Sequence, residues 1–475
     1  MIRRTISLRN EDAMPNFFSH LPAKSAIPII PLTVNSFLAW QKKASPAARR
    51  WAHLQDFSAK PSTALILLNE DGGIDAVLAG IGAQPIWSLA HLPALLPAGV
   101  YSIEEKWKNA DLSEAALGFA LAQYQFTRYK SLPEKRLTLA LPKAVPLAPL
   151  ETQVAAIFLA RDLINTPTND MQPSHLAAAA VKVAKTIGAK ITIIVDEDLL
   201  KANYPAIHAV GRASDNAPRL IDLRWGNPKH KRLTLVGKGV CFDTGGLDLK
   251  TYDSMKLMKK DMGGAALMLA LTQVIAAAKL PVCLRLLIPA VENSVSANAF
   301  RPQDVIKTRK GLTMEIGSTD AEGRVILADA LAEADRESPD LIIDAATLTG
   351  AARTALGPEL PALYANDDVL AVSLMKTALA IHDPLWHMPL WMGYDKYLNS
   401  AVADVTNTPN FGFAGSITAA LFLKRFVSDA TPWIHLDTYA WNADSQPGRP
   451  QGGEALGLRA LFAFLEKRYG KGWQN

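Results

Sequence analysis

Two cysteines, Cys241 and Cys283, are all that the 475 residues contain. A disulfide framework and a Cys-rich zinc site are thereby excluded, and a reducing, cytosolic setting fits best. The nine histidines are scattered and none falls in an H-E-x-x-H arrangement, which argues against a zincin. No G-x-x-x-x-G-K-[ST] pattern occurs, so the glycine-rich GKG and DTGG stretches do not make a P-loop. The longest apolar run, AALMLALTQVIAAA from Ala265, falls short of a membrane span. The opening MIRRTISLRNEDAM carries arginines without an apolar core, so no secretory signal is expected.

Charge of one sign is also scarce. The net charge is +5, and residues 1–150 carry all of it, with 16 Lys and Arg against 11 Asp and Glu; the remainder holds 34 of each. So thin an excess, without a clustered stripe, reads as solvated surface, and nucleic acid is not expected as a partner. Hydrophobic residues make up 49% and charged residues 20%, the balance of a soluble globular protein. The length is too great for one ordinary core, so more than one domain is expected.

The stretch LPKAVPLAPL (141–150), with three prolines, reads as a linker between an N-terminal α/β domain at 1–145 and a larger domain at 146–475. In the first domain STALILLNEDGG reads as a strand and turn, and DLSEAALGFALAQYQFTRYK as an amphipathic helix. In the second, ETQVAAIFLARDLIN, PSHLAAAAVKVAKTIGA, MGGAALMLALTQVIAAA and RVILADALAEADRE read as helices. They alternate with the apolar strands KITIIV, RLTLVGKGV, VCLRLLIPAV and LIIDAATL. That alternation predicts an α/β fold with a mixed, mainly parallel sheet flanked by helices. Ligands in such sheets sit at the carboxyl ends of strands.

Three clusters sit near predicted strand ends. VGKGVCFDTGGLDLK brings Lys238, Asp243 and Lys250; LMKKDMGGAA brings Asp261; GSTDAEGRVIL brings Asp320, Glu322 and Arg324. Taken singly, each has an ordinary reading: a solvated turn, an acid at a helix N-terminus, surface lysines. Taken together, four converging carboxylates could not all stay ionised without compensation, and divalent metals are the usual compensation. Two cations about 3.5–4 Å apart, held by shared carboxylates, activate water in two-metal hydrolases. Such a donor set suits Mg and Mn and is acceptable to Zn. Read as extended chain, Asp320 and Glu322, two residues apart, would face one side.

VGKGVCFDTGG, KKDMGGAA, STDAEGRVILADAL and DAATLTGA, in this order, resemble the leucyl aminopeptidase family, the M17-type two-metal cytosolic aminopeptidases. The resemblance runs from about Ala160 to the end, while the first 150 residues resemble the family only loosely. It implies that Asp243 and Glu322 bridge two metals, that Asp320 completes one site, and that Lys238 and Asp261 complete the other. It further implies that Lys250 polarises the scissile carbonyl and that Arg324 holds a bicarbonate acting as general base. Thr347, Leu348 and Gly350 match positions that orient substrate, Met258 lines the side-chain pocket, and Asp261 also meets the substrate amine. The substrates implied are peptides with a free N-terminus, and the assembly implied is a homohexamer. Ser318 stands where the family has asparagine, and Tyr439 in HLDTYAW stands where it has a small residue near the specificity pocket. A DNA-binding accessory role and an inactive hexameric scaffold are the alternative readings.

Overall fold

The structure, a computed structural model, describes residues 16–20, 26–103, 107–133 and 135–470; the arginine-bearing opening segment lies outside them. The chain divides into two compact units, one ending at Ala155 and including Gln446–Arg449, the other comprising the rest.

The first unit is built on a six-stranded sheet in the order Phe18–Ser19, Leu137–Ala140, Gly99–Ile103, Ile27–Leu32, Ile74–Gly80, Ala64–Leu68. Neighbours run parallel except for the last pair, a hairpin closed by the expected NEDGG turn. Phe37, Phe57, Leu65, Leu67 and Leu78 pack one of its cores. Two sequence expectations are corrected here. The helix expected over 111–130 spans Asn109–Leu121. Beyond it the Gln123 side chain exchanges two hydrogen bonds with the Leu137 backbone and turns the chain away. The proline-rich 141–150 is not wholly linker, because Leu147 already opens a helix, α1 (Leu147–Asn165). Pro149 fits there because the first turn of a helix has no N–H bonds to lose.

The second unit holds a nine-stranded sheet. Its strands are β1 (Lys190–Val195), β2 (Arg219–Gly226), β3 (Lys231–Gly237), β4 (Gly239–Asp243), β5 (Val282–Asn293), β6 (Leu341–Ala346), β7 (Ala362–Ala365), β8 (Trp386–His387) and β9 (Trp433–Asp437). The order is β8-β7-β9-β6-β3-β5-β2-β1, with β4 also pairing β5. The central strands β9, β6, β3 and β5 are mutually parallel, and β7, β2 and β1 add antiparallel pairs on either side. The sheet is thus mixed and mainly parallel, as the alternation of apolar runs predicts.

Helices α2 (Pro173–Ile187), α3 (Gly263–Ala277) and α4 (Glu322–Asp335) pack against this sheet. α3 is apolar on every side and almost wholly buried, as expected of a helix enclosed all round. A buried polar cluster joins two of the central strands. Asp344 on β6 accepts from Trp433 Nε1 at 2.7 Å and pairs with His435 Nδ1 on β9 at 2.6 Å. Burial opposes a charge on His435, but Asp344 outweighs it and raises the imidazole pKa.

The amino end of α3 lies against the end of β6. A Cβ on Gly264 would stand 2.0 Å from the Ala345 carbonyl oxygen. Gly264→Ala is therefore expected to destabilise the protein by about 1–3 kcal/mol through overpacking. Gly412→Ala, whose Cβ would meet nothing within 4 Å, serves as the neutral control. Thermal midpoints of the two variants and wild type check this; equal midpoints would refute the close approach.

Candidate metal centre

The central parallel strands end at one edge of the sheet, and the charged groups gather there. β3 stops at Gly237, and Lys238 divides its backbone between two partners. Its N–H donates to Ala345 O at the end of β6, and its carbonyl accepts from Ala265 N in the first turn of α3. That clamp aims the side chain inward. Lys238 is 3% exposed; its Nζ lies 2.7 Å from Asp261 Oδ2 and 3.0 Å from Glu322 Oε1, and donates to Thr347 O at 3.0 Å. Its stem lies against Gly323, where a Cβ would come within 2.4 Å of Lys238 Cε.

The chain resumes as β4, which ends on Asp243. Its Oδ1 accepts from Gly245 N and from Asn293 Nδ2, both at 2.8 Å. Its Oδ2 lies 2.9 Å from Lys250 Nζ, which also pairs with Asp320.

Asp320 and Glu322 do meet on one side, though not through an extended segment. Thr319–Ala321 form a 3₁₀ turn and Glu322 is the first residue of α4. The turn is pinned from three directions. The Ser318 hydroxyl accepts from Asp320 N and donates to Asp248, both at 3.1 Å. Asp248 Oδ2 also accepts from Thr319 N at 2.7 Å. Asn407 Oδ1 accepts from the Gly317 and Ser318 N–H groups, while its Nδ2 donates to the Ser318 and Ala321 carbonyls. Serine in place of the family's asparagine is thus an active member of the turn.

Asp243, Asp320 and Glu322 place carboxylate oxygens within 4.8 Å of one another, as one shared ion requires. Asp261, just before the start of α3, adds a fourth carboxylate, with Oδ1 accepting from Thr347 Oγ1 at 2.8 Å. Burial, then repulsion from Asp243, holds the Glu322 carboxyl well above the usual carboxylate range. Burial likewise raises Asp261 and Asp320, with Asp243 adding to both. Burial disfavours charge on Lys238 and Lys250, but the surrounding carboxylates outweigh it and both pKa values rise. Four carboxylates facing two lysines remain undercompensated, and Glu322 Oε2 is buried without a hydrogen-bond partner. An oxygen-rich cluster with a spare buried acceptor fits divalent cations.

These groups line a cavity of about 470 Å³ together with Met258, Thr347, Leu348, Gly350 and Tyr439. A larger surface cleft, about 880 Å³ beside Asp368, His387 and Lys424, gathers no comparable ligand set. Arg324 lies behind the cavity. Its Nη1 donates to Asn407 O at 2.8 Å, its Nε has no partner, and burial lowers its pKa to about 10. Leu348 and Thr349 donate their N–H groups to Asp437 Oδ1 at the end of β9, which fixes the cavity wall they form.

Several residues that shape the site escape sequence reading. Asn293 and Asp437, polar terminal residues of apolar strands, carry the same strand-end signal as Asp243. Asn407 lies in a loop with no signal of its own. Lys260, which burial brings down to about 8, and Arg353 are indistinguishable in sequence from surface cations.

Two family models match the chain: the cytosol aminopeptidase family, catalytic domain, over residues 158–462, and the M17 aminopeptidase N-terminal domain over 27–142. A probable cytosol aminopeptidase of Syntrophotalea carbinolica is 43% identical over 369 residues, covering 74% of each chain. The crystal structure of the cytosol aminopeptidase from Coxiella burnetii superposes with a TM-score of 0.92 at 48% identity, over 95% of this chain and 99% of that one. The bottromycin maturation enzyme BotP in complex with Mn superposes with a TM-score of 0.85 at 31% identity, over 94% and 100%. The DNA-binding and inactive-scaffold alternatives gain no support from these relatives. The chain belongs to the cytosol aminopeptidase family, and it is a metallo-aminopeptidase.

Proposed function

We propose that the cavity at the strand ends removes the first residue from peptides with a free N-terminus, using two divalent cations and a bicarbonate. The observation that carries this reading is the undercompensated set Asp243, Asp261, Asp320 and Glu322, with the spare buried acceptor on Glu322. Asp243 and Glu322 would be shared between the cations, Asp320 would complete one site, and Lys238 and Asp261 the other. When bound, the cations supply an acidified water and the bicarbonate supplies a base for its proton.

The remaining work falls to the chain's own groups. Lys238 must give up its proton to act as a ligand, and the carboxylates that now hold it protonated are those the cations would occupy. Asp261 would take the substrate's ammonium group. Lys250 keeps its charge, reaches the cavity, and would stabilise the oxyanion that develops at the scissile carbonyl. The Leu348 N–H is spent on Asp437, which leaves its carbonyl, with the Gly350 N–H at the start of a helix, to align the peptide. Arg324, buried with Nε unpartnered, would hold the bicarbonate.

An oxygen-rich donor set supports manganese, zinc or, less readily, magnesium, and the manganese bound to BotP favours the first. A homohexamer in the cytosol is the assembly and location that the family resemblance supports. Among the described residues no helix is long and apolar enough to cross a membrane.

Glu322→Gln should lower metal-dependent turnover of aminoacyl-p-nitroanilides more than about 100-fold, since even outer partners of metal ligands are worth 10–100-fold. Chelation of wild type should reproduce that loss, and Mn²⁺ or Zn²⁺ should restore it. Full activity in the variant would mean that the ligand assignment is wrong. Gly323→Ala, by displacing Lys238, should weaken cation binding about 10–100-fold in calorimetric titrations of the metal-free protein. An unchanged isotherm would remove Lys238 from the site.

A further inference from the structure

The cavity has a second wall that the chemistry above does not use. Met258 and Lys260 on one 3₁₀ turn, Thr349 and Arg353 after β6, and Thr438 and Tyr439 after β9 form it. Tyr439 is the residue that departs from the family's small one, and its ring is flanked by cations. Lys260 Nζ stands 4.5 Å from the ring centroid and Arg353 Cζ 5.1 Å from it. Lys260 is only 5% exposed, yet its ammonium makes no hydrogen bond or ion pair, and neither does the guanidinium of Arg353. A buried cation without an anion is costly unless something pairs with it. Asp261 and Asp437 favour the Lys260 charge from beyond ion-pair distance without overcoming its burial, the aromatic face offsets part of the remaining cost, and Asp253, exposed on the same cavity, pairs with neither cation.

Substrate placement leaves one direction for the first residue's side chain. The free amine belongs with the carboxylates around Asp261, and the scissile carbonyl belongs with Lys250. What remains to receive the side chain is the wall of Met258, Lys260, Arg353 and Tyr439. We infer that this wall selects an acidic first residue, the side-chain carboxylate lying between Lys260 and Arg353 against the Tyr439 ring. The inference rests on the aminopeptidase reading and adds a substrate class to it. The same wall would repel a lysine or arginine side chain, and it offers a leucine two unpaired charges in place of an apolar lining.

The test uses the metal-loaded enzyme and p-nitroanilides of Glu, Gln, Leu and Lys. An anilide has no peptide C-terminus, so a carboxylate preference measured on it belongs to the side chain. Glu should exceed its isostere Gln in kcat/KM by about tenfold or more, the margin of a charge-assisted over a neutral hydrogen bond, and Lys should be the poorest. Arg353→Met, at an exposed position where folding is not at risk, should collapse the Glu/Gln ratio towards one. Lys260→Met should do the same. A Glu/Gln ratio near one in wild type, or a ratio unmoved in both variants, would overturn the pocket assignment while leaving the aminopeptidase reading intact. No turnover of any of the four would overturn both.

Discussion

Four carboxylates brought together, three of them buried and Asp320 at the cavity surface, repel one another, and the catalytic half of this protein is organised around containing that repulsion. Asp243, Asp261, Asp320 and Glu322 come from a strand end, the approach to one helix, a turn, and the first position of another helix. Two lysines are threaded among them, Lys238 the more deeply buried and Lys250 the more exposed, and both line the cavity. Neither lysine neutralises the set, which is why the arrangement is legible as a cation site and not as an ordinary ion-pair network. Amide groups do the remaining containment: Asn293 braces Asp243, and Asn407 ties down the turn that carries Asp320.

The scaffold explains why these groups meet at all. Parallel strands deliver their carboxyl ends to one edge, where helix amino ends also arrive. Acids are favoured beside helix amino ends by the unpaired N–H groups and the dipole. Lys238 joins the two kinds of element through its backbone, and Gly323 leaves room for its stem. The proposed metal ligand Lys238, a strand end and two helix starts are therefore parts of one joint, and even a methyl group added at Gly323 would press on the Lys238 stem.

Much of this was legible in the sequence because the chemistry is local. Continuous apolar runs marked the central strands, and the polar residues closing them marked the site. The resemblance supplied roles that spacing alone left open. What sequence missed was set by contacts between distant segments. Asp320 and Glu322 converge through a turn that Asn407 and Asp248 impose from 70 to 90 residues away, so alternation along a strand was the wrong reason for a correct pairing. The helix end at Leu121 has the same cause, the Gln123 bonds to the Leu137 backbone, whereas the helix start at Leu147 has a local one, the tolerance of a proline in the first turn. Lys260 and Arg353 are told apart from solvated cations only by their shared contact with the Tyr439 ring.

The buried Asp344–His435 pair has a consequence for how the sheet is assembled. β6 and β9 read LIIDAA and WIHLD, and a slip of two residues between such parallel strands would keep every side chain on its proper face. Burial alone therefore barely distinguishes the correct register from its neighbour. The ion pair does, because Asp344 and His435 are direct partners across the two strands, and any shift would strand a charge in the core. Two residues further on, that same alignment sets Asp437 opposite Ala346, where it can grip Leu348 and Thr349. A proofreading device in the core thus positions the edge against which the proposed site would hold a peptide.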